Sequence, residues 1–485
     1  NKDIIPGGYL GVDIFFVISG FVITLSLQNR KSKNFKDFIS RFYARRFKRL
    51  FPALVLFVLI VSIFICLFNP FPSVSLKTGL TSLFGISNIY LLQQSTDYFS
   101  QPTQLNVFTH TWSLGVEEQF YLLFPFLIWF SGFGRQTNNG SRNLFLSVGL
   151  LSISSLIGFI YLYPTNESAA YFLMPTRFWE MSAGCLLFIV FQKRASIKKI
   201  FKKIPSFLFV ISIIAVMYLP SSLRTLSTVT VVVLTCMLIA SLEKQSLTYK
   251  ILTYPKVIYI GRISYSLYLW HWAILSLSRW TIGIHWWSVP FQLIFIILLA
   301  IASFRWIENP FKHSIWLNSP RNVFLYISGM LTIVSLIIVT IGRPLKGKLY
   351  TGSLNNKWNI TGFGETKIIN DPRLPTIYLI GDSHAGHYGA LMTFLANKKY
   401  LNLIMHPQGG ALKLFNKSSE EYVLAPLRHY KNKFKKGDII IFSSAISKYK
   451  KSVGFTKSYQ AFIQQTNQKG IKYFLISPTP TFSKV

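Results

Sequence analysis

Acidic residues, and charged residues in general, are scarce in this sequence. Only 16 of the 485 residues are Asp or Glu, and charged residues of all kinds make up 14% of the chain against 51% hydrophobic residues. An ordinary soluble domain carries about 25% charged residues. The composition therefore excludes a soluble globule for most of the chain and predicts a polytopic membrane protein with a further segment attached.

Cysteine is scarce as well. Cys66, Cys185 and Cys236 are widely separated and lie in apolar runs, which excludes a disulfide framework or a cysteine zinc site. We expect them only to pack, and we predict no metal site. The 51 Lys and Arg give a net charge of +35, but much of it lies in short runs between apolar segments. That placement indicates membrane topology and not a nucleic-acid partner.

Ten apolar windows approach the length of about 20 residues that a membrane helix needs. The stretch 80–93 is shorter and more polar, and we interpret it as re-entrant or interfacial. The windows lie near 13–29, 51–69, 112–131, 144–163, 177–191, 206–220, 223–242, 257–279, 289–306 and 323–342.

The basic loops predict the orientation of these spans. Residues 30–49 carry nine Lys and Arg against one Asp, and residues 193–203 carry six Lys and Arg with no acid. In contrast, there is no Lys or Arg in 94–111, 164–176 or 280–288. Because cytoplasmic loops are rich in Lys and Arg, the basic loops are predicted to be cytoplasmic. Ten alternating spans then place the C-terminal part outside.

The periodicity of the sequence changes from about residue 370. Short apolar runs alternate there with longer helix-like stretches, a pattern that predicts the first half of a parallel α/β domain. A linker over 343–372, with few apolar residues, separates this part from the last span. The runs are 376–380, 401–405, 438–443 and 471–477, and the helix-like stretches are 386–399 and 455–468.

Ionisable residues inside apolar windows are candidates for a site, because a charge near the bilayer centre costs at least about 2.5–3.5 kcal/mol. Glu117 and Glu118 are adjacent, so either at least one lines a cavity or both belong to an interfacial helix start. Arg177 and Glu180 are three residues apart on one helical face, where they are able to pair with each other.

Two further groups of polar residues have a regular spacing. Tyr265, Tyr268 and His271 follow one another at intervals of three, which places them roughly on one stripe of a helix.

Arg46 and Arg49 are also three apart. Arginine forks suit a phosphate-rich ligand, although membrane topology accounts for most of the charge in that run. Glu308 lies just past a window and is interpreted as interfacial.

One motif outside the apolar windows has the pattern of a strand that ends at a nucleophilic residue. In IYLIGDSHAGHYG, an apolar run is followed by Gly381, Asp382 and Ser383 and then by a helix-like stretch. Ser383 is the candidate nucleophile, with a simple Gly-Asp turn as the alternative. Backbone NH groups near Ser383 and at Gly409 or Gly410 are candidates for an oxyanion hole.

Five motifs occur in order: GGYLGVDIFFVISGFVIT, RRFKRLFPA, HTWSLGVEEQFYLLFP, TRFWEMSAGCLL and GRISYSLYLWHW. Together they resemble the membrane acyltransferase family three, and the tail resembles the SGNH hydrolase-like domain fused to many of its bacterial members. The resemblance implies a polytopic α-helical membrane domain over 1–342, with about ten spans here and one more expected upstream. It also implies a partial extracytoplasmic SGNH-type domain over 373–485, of flavodoxin-like α/β fold.

The resemblance further implies an enzyme of the bacterial inner membrane. Its reaction is transfer of an acyl group, usually acetyl from cytoplasmic acetyl-CoA, to a hydroxyl of an envelope polysaccharide or lipid-linked glycan such as lipopolysaccharide O-antigen. No permanently bound cofactor is implied. The family's Arg-x-x-Arg pair, implicated in donor handling, maps onto Arg46 and Arg49, and its catalytic Glu maps onto Glu117.

The remaining candidates divide between the two parts of the chain. In the tail, the resemblance assigns Ser383 as nucleophile. Arg177, Glu180, Tyr268 and His271 are candidates for lining a membrane cavity, and Gly381, Asp382 and Gly410 for supporting Ser383.

The sequence departs from both families. Members of the acyltransferase family carry an essential His in a helix before the GVDIFFVISG helix, and SGNH proteins carry a late Asp-x-x-His block and a Gly-x-Asn block. None of these is evident within the chain. We therefore expect the chain as given to be an inactive fragment, truncated at its C-terminus, of an active enzyme.

Two other classes of protein compete with this interpretation. A transporter with a periplasmic binding domain would show repeat symmetry with paired helix breaks, and the sequence shows neither. A membrane-anchored SGNH esterase would use Ser383 to remove acyl groups, yet an anchor needs one span and not ten with buried acids and arginines. Dependence on acyl-CoA separates the acyltransferase from both.

Overall fold

A computed structural model divides the protein into two units, residues 1–352 and 353–485, which are described separately. The division falls near residue 342, where the membrane domain is predicted to end. The structure describes residues 6–28, 32, 34–69, 72–95, 103–193, 204–314, 317, 319–342, 349, 351, 366–371, 373–381, 392, 393, 395, 396, 398–407, 434–443, 464 and 470–476.

The described part of the first unit is helical. Each of the ten predicted windows overlaps one of its longer helices. In chain order the helices are α1 (Gly11–Gln28), α2 (Phe35–Phe68), α3 (Ser73–Leu83), α4 (Ser87–Ser95), α5 (Trp112–Phe130), α6 (Gly140–Thr165), α7 (Glu167–Phe172), α8 (Met174–Lys193), α9 (Ser206–Met217), α10 (Arg224–Ser241), α11 (Leu247–Leu252), α12 (Pro255–Trp280), α13 (Val289–Ser303), α14 (Asn309–His313) and α15 (Pro320–Gly342).

Six helical segments of the described part are long and apolar enough to cross a membrane, so the unit is a multi-pass membrane protein. α9 is apolar but shorter, and ten spans remain a prediction. The stretch 80–93 forms parts of α3 and α4, two short helices on either side of Gly85. The six segments are Gly8–Gln28, Phe35–Phe68, Gly140–Thr165, Arg224–Ser241, Val289–His313 and Pro320–Gly342.

Helix α2 connects two apolar clusters of the membrane unit. Near its start, Phe38 and Phe42 pack in a cluster with residues of α1, α5 and α8. Further along, Phe57 packs in a second cluster with residues of α12 and α15. Arg46 and Arg49 lie on the turns between these two contacts, so both arginines stand where the two clusters meet.

Helices α1 and α8 approach each other closely through two glycines. A Cβ atom on Gly20 would lie 1.8 Å from the Met181 carbonyl oxygen, and one on Gly184 would lie 2.0 Å from the Val17 carbonyl oxygen. Small residues let membrane helices pack at this separation. The contact fixes α1, which carries Asp13 and Ser19, against α8, which carries Arg177 and Glu180.

The described part of the second unit contains a five-stranded sheet. Its order is β1-β3-β2-β4-β5. β1 pairs antiparallel with β3, and the other three pairings are parallel, with Gly381 opposite Ser443. The strands are β1 (Thr366–Ile368), β2 (Thr376–Gly381), β3 (Asn402–Pro407), β4 (Ile439–Ser443) and β5 (Lys472–Ile476).

The parallel α/β prediction is confirmed for the four strands β2 to β5, whose order is that of a flavodoxin-like sheet. The predicted linker over 343–372 is wrong in its last part, because Thr366–Ile368 forms an edge strand. Three residues that pair with β3 were too few to show a period in the sequence. Most of the predicted helices 386–399 and 455–468 lies outside the described residues.

Candidate active site

Arg46 is the centre of the charged cluster between α2 and α5. Its Nε lies 3.1 and 3.2 Å from the two carboxylate oxygens of Glu118, and its Nη2 lies 3.0 Å from Oε1. Nη2 also lies 3.5 Å from Oε2 of Glu117. The guanidinium covers the ring of Tyr121, with its carbon 3.4 Å from the ring centroid. One arginine thus meets both acids of the predicted pair.

Glu117 is buried, with 5% of its surface exposed. Its Oε1 accepts hydrogen bonds from the Ser19 hydroxyl at 2.5 Å and from the Tyr121 hydroxyl at 2.8 Å. Ser19 and Tyr121 also hydrogen-bond to each other. Together with Arg46, three helices therefore supply a donor to this one carboxylate. The expectation that at least one of the two acids lines a cavity stays a prediction.

Arg49 lies one turn beyond Arg46 and is far more open. Its side chain is 57% exposed, and its Nε lies 4.0 Å from Oε1 of Glu308. Glu308 is 2% exposed and accepts a hydrogen bond from Ser266 at 3.3 Å, and its interfacial position in the membrane stays a prediction. A π-helical turn over Phe304–Glu308 turns this carboxylate toward the neighbouring helices.

Arg177 and Glu180 pair as predicted, and a third residue joins them. Nη1 of Arg177 lies 2.6 Å from Oε1 of Glu180 and 3.0 Å from Oδ1 of Asp13. All three side chains are 2% exposed or less. The guanidinium is enclosed by aromatic rings, with that of Tyr171 at 5.0 Å. This triad joins α1 to α8 and has no opening to solvent, so it supports the fold beside the site.

Tyr268 and His271 of α12 contact residues at the start of α5, His110 and Ser113, and form a second polar cluster with them. The Tyr268 hydroxyl donates to the carbonyl oxygen of His110 and hydrogen-bonds to the hydroxyl of Ser113. Nδ1 of His271 lies 2.7 Å from the carbonyl oxygen of Tyr268. Tyr265, one turn earlier on α12, donates to the carbonyl oxygen of Leu50 on α2 at 3.0 Å.

An apolar cavity of about 320 Å³ lies between α2, α12 and α13. Trp270, Phe295 and Trp306 are among its lining residues, and none of the lining residues is charged. The cavity therefore lies apart from the charged cluster. Among the described residues there is no group of three or more His, Cys, Asp or Glu side chains able to hold a metal ion.

In the second unit, Gly381 ends β2 at the point where the strand order reverses, since β3 lies on one side of β2 and β4 on the other. Open α/β sheets bind ligands beside the carboxyl ends of strands at such a point. Burial raises the pKa of Tyr378, on the same strand, to about 12. The candidates Asp382, Ser383 and Gly410 lie outside the described residues.

The comparison with known families bears on this geometry. The family described as an acyltransferase domain matches residues 4–307. The chain belongs to acyltransferase family 3. The match includes Arg46, Arg49 and Glu117 and both polar clusters of the membrane unit, so these residues are parts of an acyltransferase domain.

Two curated relatives are similar to this chain over most of its length. O-acetyltransferase OatA of Staphylococcus aureus (strain NCTC 8325 / PS 47) is 32% identical over 338 residues, which cover 64% of this chain and 54% of that protein. Peptidoglycan O-acetyltransferase OatA of Listeria monocytogenes is 29% identical over 371 residues, covering 70% of this chain and 59% of that protein. The chain thus spans little more than half the length of these relatives. No solved structure matches it.

Sequence reasoning missed several residues of the two polar clusters and of the triad. Asp13 carried a usable signal, because it is an acid inside an apolar window. Ser19 and Tyr121 carried none, since hydroxyl groups are common in membrane helices and their contact with each other joins positions 102 residues apart. His110 is the first residue of the motif HTWSLGVEEQFYLLFP, but its neighbours become visible only when α5 and α12 are placed side by side.

Proposed function

We propose that the whole protein is a multi-pass membrane O-acetyltransferase that transfers an acetyl group from acetyl-CoA to a hydroxyl of a cell-envelope polysaccharide. The family and the names of the relatives support O-acetyl transfer. The observation that carries the donor assignment is the open guanidinium of Arg49 beside the buried Glu117 network.

The donor is proposed from the charge of this region. Coenzyme A is a phosphate-bearing carrier, and an exposed arginine fork binds phosphate through charge-assisted hydrogen bonds. Residues 30–49 add further basic residues on the same part of the chain. Because such loops are cytoplasmic, we place the donor on the cytoplasmic side of the bacterial cytoplasmic membrane and the second unit on the outside.

The acceptor is proposed from a relative. The printed name of the Listeria protein specifies peptidoglycan, which favours a peptidoglycan hydroxyl over the lipopolysaccharide expected from the sequence. Within the membrane unit, Glu117 is the proposed catalytic residue, and Ser19, Tyr121 and Arg46 hold its carboxylate in place. In the second unit, Ser383 remains the proposed nucleophile for handling the acceptor or for the final transfer.

The decisive experiment measures transfer of labelled acetyl from acetyl-CoA to peptidoglycan in membranes that contain the full-length gene product including this chain. We expect transfer by the wild type, its loss in Arg49→Ala when acetyl-CoA is kept near the wild-type KM, and equal amounts of both proteins in the membrane. A Ser383→Ala variant tests the second unit separately. Transport of a solute, or ester hydrolysis by Ser383 without any acetyl-CoA-dependent transfer, would support the transporter or the esterase and refute the proposal.

A further inference from the structure

The apolar cavity between α2, α12 and α13 has the chemistry of a site for a hydrocarbon chain. Its volume is about 320 Å³, none of its lining residues is charged, and Ser303 is the one residue among them with a hydroxyl group. A water molecule in a protein cavity needs about two to four polar partners. The lining therefore does not suit water, a sugar or the amide-bearing arm of coenzyme A, and it suits an apolar chain.

The cavity extends along the helices that line it. The lining residues of these helices fall within 56–64 of α2, 270–277 of α12 and 295–303 of α13. Seven or eight residue steps of a helix correspond to a rise of about 10–12 Å. Because α2 and α13 belong to segments long and apolar enough to cross a membrane, the cavity runs in the direction in which the chains of bilayer lipids lie.

Several lining residues also belong to the outer surface of the membrane unit. Trp306 is 70% exposed and Phe295 is 51% exposed, yet both line the cavity. Around a membrane-spanning helix, such surface meets lipid chains and not water. A chain that fills the cavity is therefore able to enter sideways from the bilayer.

One end of the cavity lies beside exposed arginines. Arg305 immediately precedes Trp306 and is exposed. On α12, Tyr259 contacts Phe304 with ring centroids 6.5 Å apart, and the exposed Arg262 lies one turn further along. The orientation predicted from the basic loops places this end of α12 and α13 at the cytoplasmic surface. Anionic lipids of the cytoplasmic leaflet attract such arginines, which bind phosphate through their planar fork.

We propose that this cavity binds one acyl chain of an anionic phospholipid of the cytoplasmic leaflet, with the lipid phosphate at Arg305 and Arg262. The apolar lining selects the chain, and the two arginines select the headgroup. The bound chain fills the space between α2 and α13 and supports the packing of these helices. The inference concerns binding alone, so it does not depend on the proposed acetyl transfer.

The test for the chain uses the full-length gene product, purified in digitonin, a detergent without a flexible hydrocarbon chain. Dioleoyl phosphatidylglycerol is added, and the bound lipid is counted by native mass spectrometry. We expect one tightly bound lipid per wild-type protein. Leu299→Trp should raise the Kd about tenfold or more, because the indole occupies closely packed space that the chain needs. Leu299 lines the cavity.

Leu298 provides the matched control, since it is the next residue of the same helix, is 58% exposed and is not among the lining residues. Leu298→Trp should bind the lipid as the wild type does. Ala302→Phe fills the cavity from another lining position and should also weaken binding, so the test does not depend on the folding of one variant. Thermal unfolding without lipid shows which variants are folded.

The test for the headgroup compares phosphatidylglycerol with the zwitterionic phosphatidylcholine. Arg305→Gln should raise the Kd for phosphatidylglycerol about tenfold, the usual effect of losing a hydrogen bond to a charged group, and should reduce the preference over phosphatidylcholine. Arg321 is the control, because it is an exposed arginine at the start of α15, a helix that contributes no residue to the lining. Arg321→Gln should leave both Kd values unchanged.

Three results would overturn the inference. The cavity is not the site if Leu298→Trp and the two cavity-filling variants bind phosphatidylglycerol equally well. A folded full-length protein that binds no phospholipid would show that another part of the protein covers the cavity. If octanoyl-CoA binds the wild type more tightly than acetyl-CoA, and Leu299→Trp removes this difference without weakening phosphatidylglycerol binding, the occupant is the acyl chain of the donor and not a membrane lipid.

Discussion

Arg46 binds Glu118 through two nitrogens and at the same time covers the ring of Tyr121. Its side chain is 13% exposed, whereas that of Arg49 is 57% exposed. The two arginines of the Arg-x-x-Arg pair, which were predicted to act together on the donor, therefore differ in environment. We infer that Arg46 positions the carboxylates of the site and that Arg49 provides the open guanidinium.

The first prediction concerns stability. Replacing Arg46 by Ala should lower the stability of the membrane unit by about 3 kcal/mol, because removing one partner of a buried ion pair leaves the other charge unpaired. Arg46→Lys should not restore it, since an ammonium cannot reproduce the planar, two-nitrogen contact. The measurement is thermal unfolding of the purified protein in detergent. If Arg46→Ala and the double variant with Glu118→Ala unfold at the same temperature as wild type, the pair does not stabilise the unit.

The second prediction concerns the donor. Arg49→Ala should raise KM for acetyl-CoA about tenfold or more, since a hydrogen bond to a charged group contributes about 1.5–3 kcal/mol. The thermal stability should remain near that of wild type. Arg45 is the matched control, because it is an exposed arginine on the same helix and its replacement by Ala removes the same charge. An equal rise of KM in Arg45→Ala would mean that net charge alone attracts the donor.

The third prediction concerns the triad of Asp13, Arg177 and Glu180. Arg177→Met should lower stability by about 3–5 kcal/mol, because it leaves two carboxylates buried without their counter-charge. Arg224 is the control: it also contacts a carboxylate, Glu167, but both side chains are about 40% exposed. Exposed pairs contribute about 0–1 kcal/mol, so Arg224→Met should change the unfolding temperature little. Comparable losses in both variants would contradict the distinction between the two pairs.

The sequence predicted those features that follow from local pattern. Apolar windows and basic loops indicate membrane helices because each residue contributes separately to the free energy of transfer into lipid. Each window indeed overlaps a helix. Likewise, the spacing of Arg177 and Glu180 sufficed to predict their pairing, since a helical turn brings residues three apart together. The parallel strands from β2 onward were visible because each is a short apolar run between polar segments.

The features that could not be predicted depend on contacts between distant segments. Nothing local distinguishes the environment of Arg46 from that of Arg49, because the difference arises from the side chains that α5 and the π-helical turn bring to α2. The burial of Glu308 is a second case: its position past the end of a window says nothing about Ser266, 42 residues away, to which it hydrogen-bonds. Burial of a charge is decided by packing and not by hydropathy.

The last prediction concerns the contact of α1 with α8. Gly20→Ala and Gly184→Ala should each lower stability by about 1–3 kcal/mol, the usual result of adding atoms to a closely packed interior. The new Cβ atoms would lie within 2.0 Å of the carbonyl oxygens of Met181 and Val17, and backbone cannot move aside as a flexible side chain can. The measurement is again thermal unfolding in detergent, together with the yield of folded protein.

Gly149 and Gly158 on α6 provide the matched controls for this last prediction. A Cβ atom at either position would meet nothing within 4 Å, and Ala is favoured over Gly inside a helix by about 0.5–1 kcal/mol. Gly149→Ala and Gly158→Ala should therefore be neutral or slightly stabilising. Because α1 and α8 carry Ser19 and Arg177, the two destabilising substitutions should also reduce acetyl transfer. Unchanged unfolding of Gly20→Ala and Gly184→Ala would show that α1 and α8 do not pack this closely.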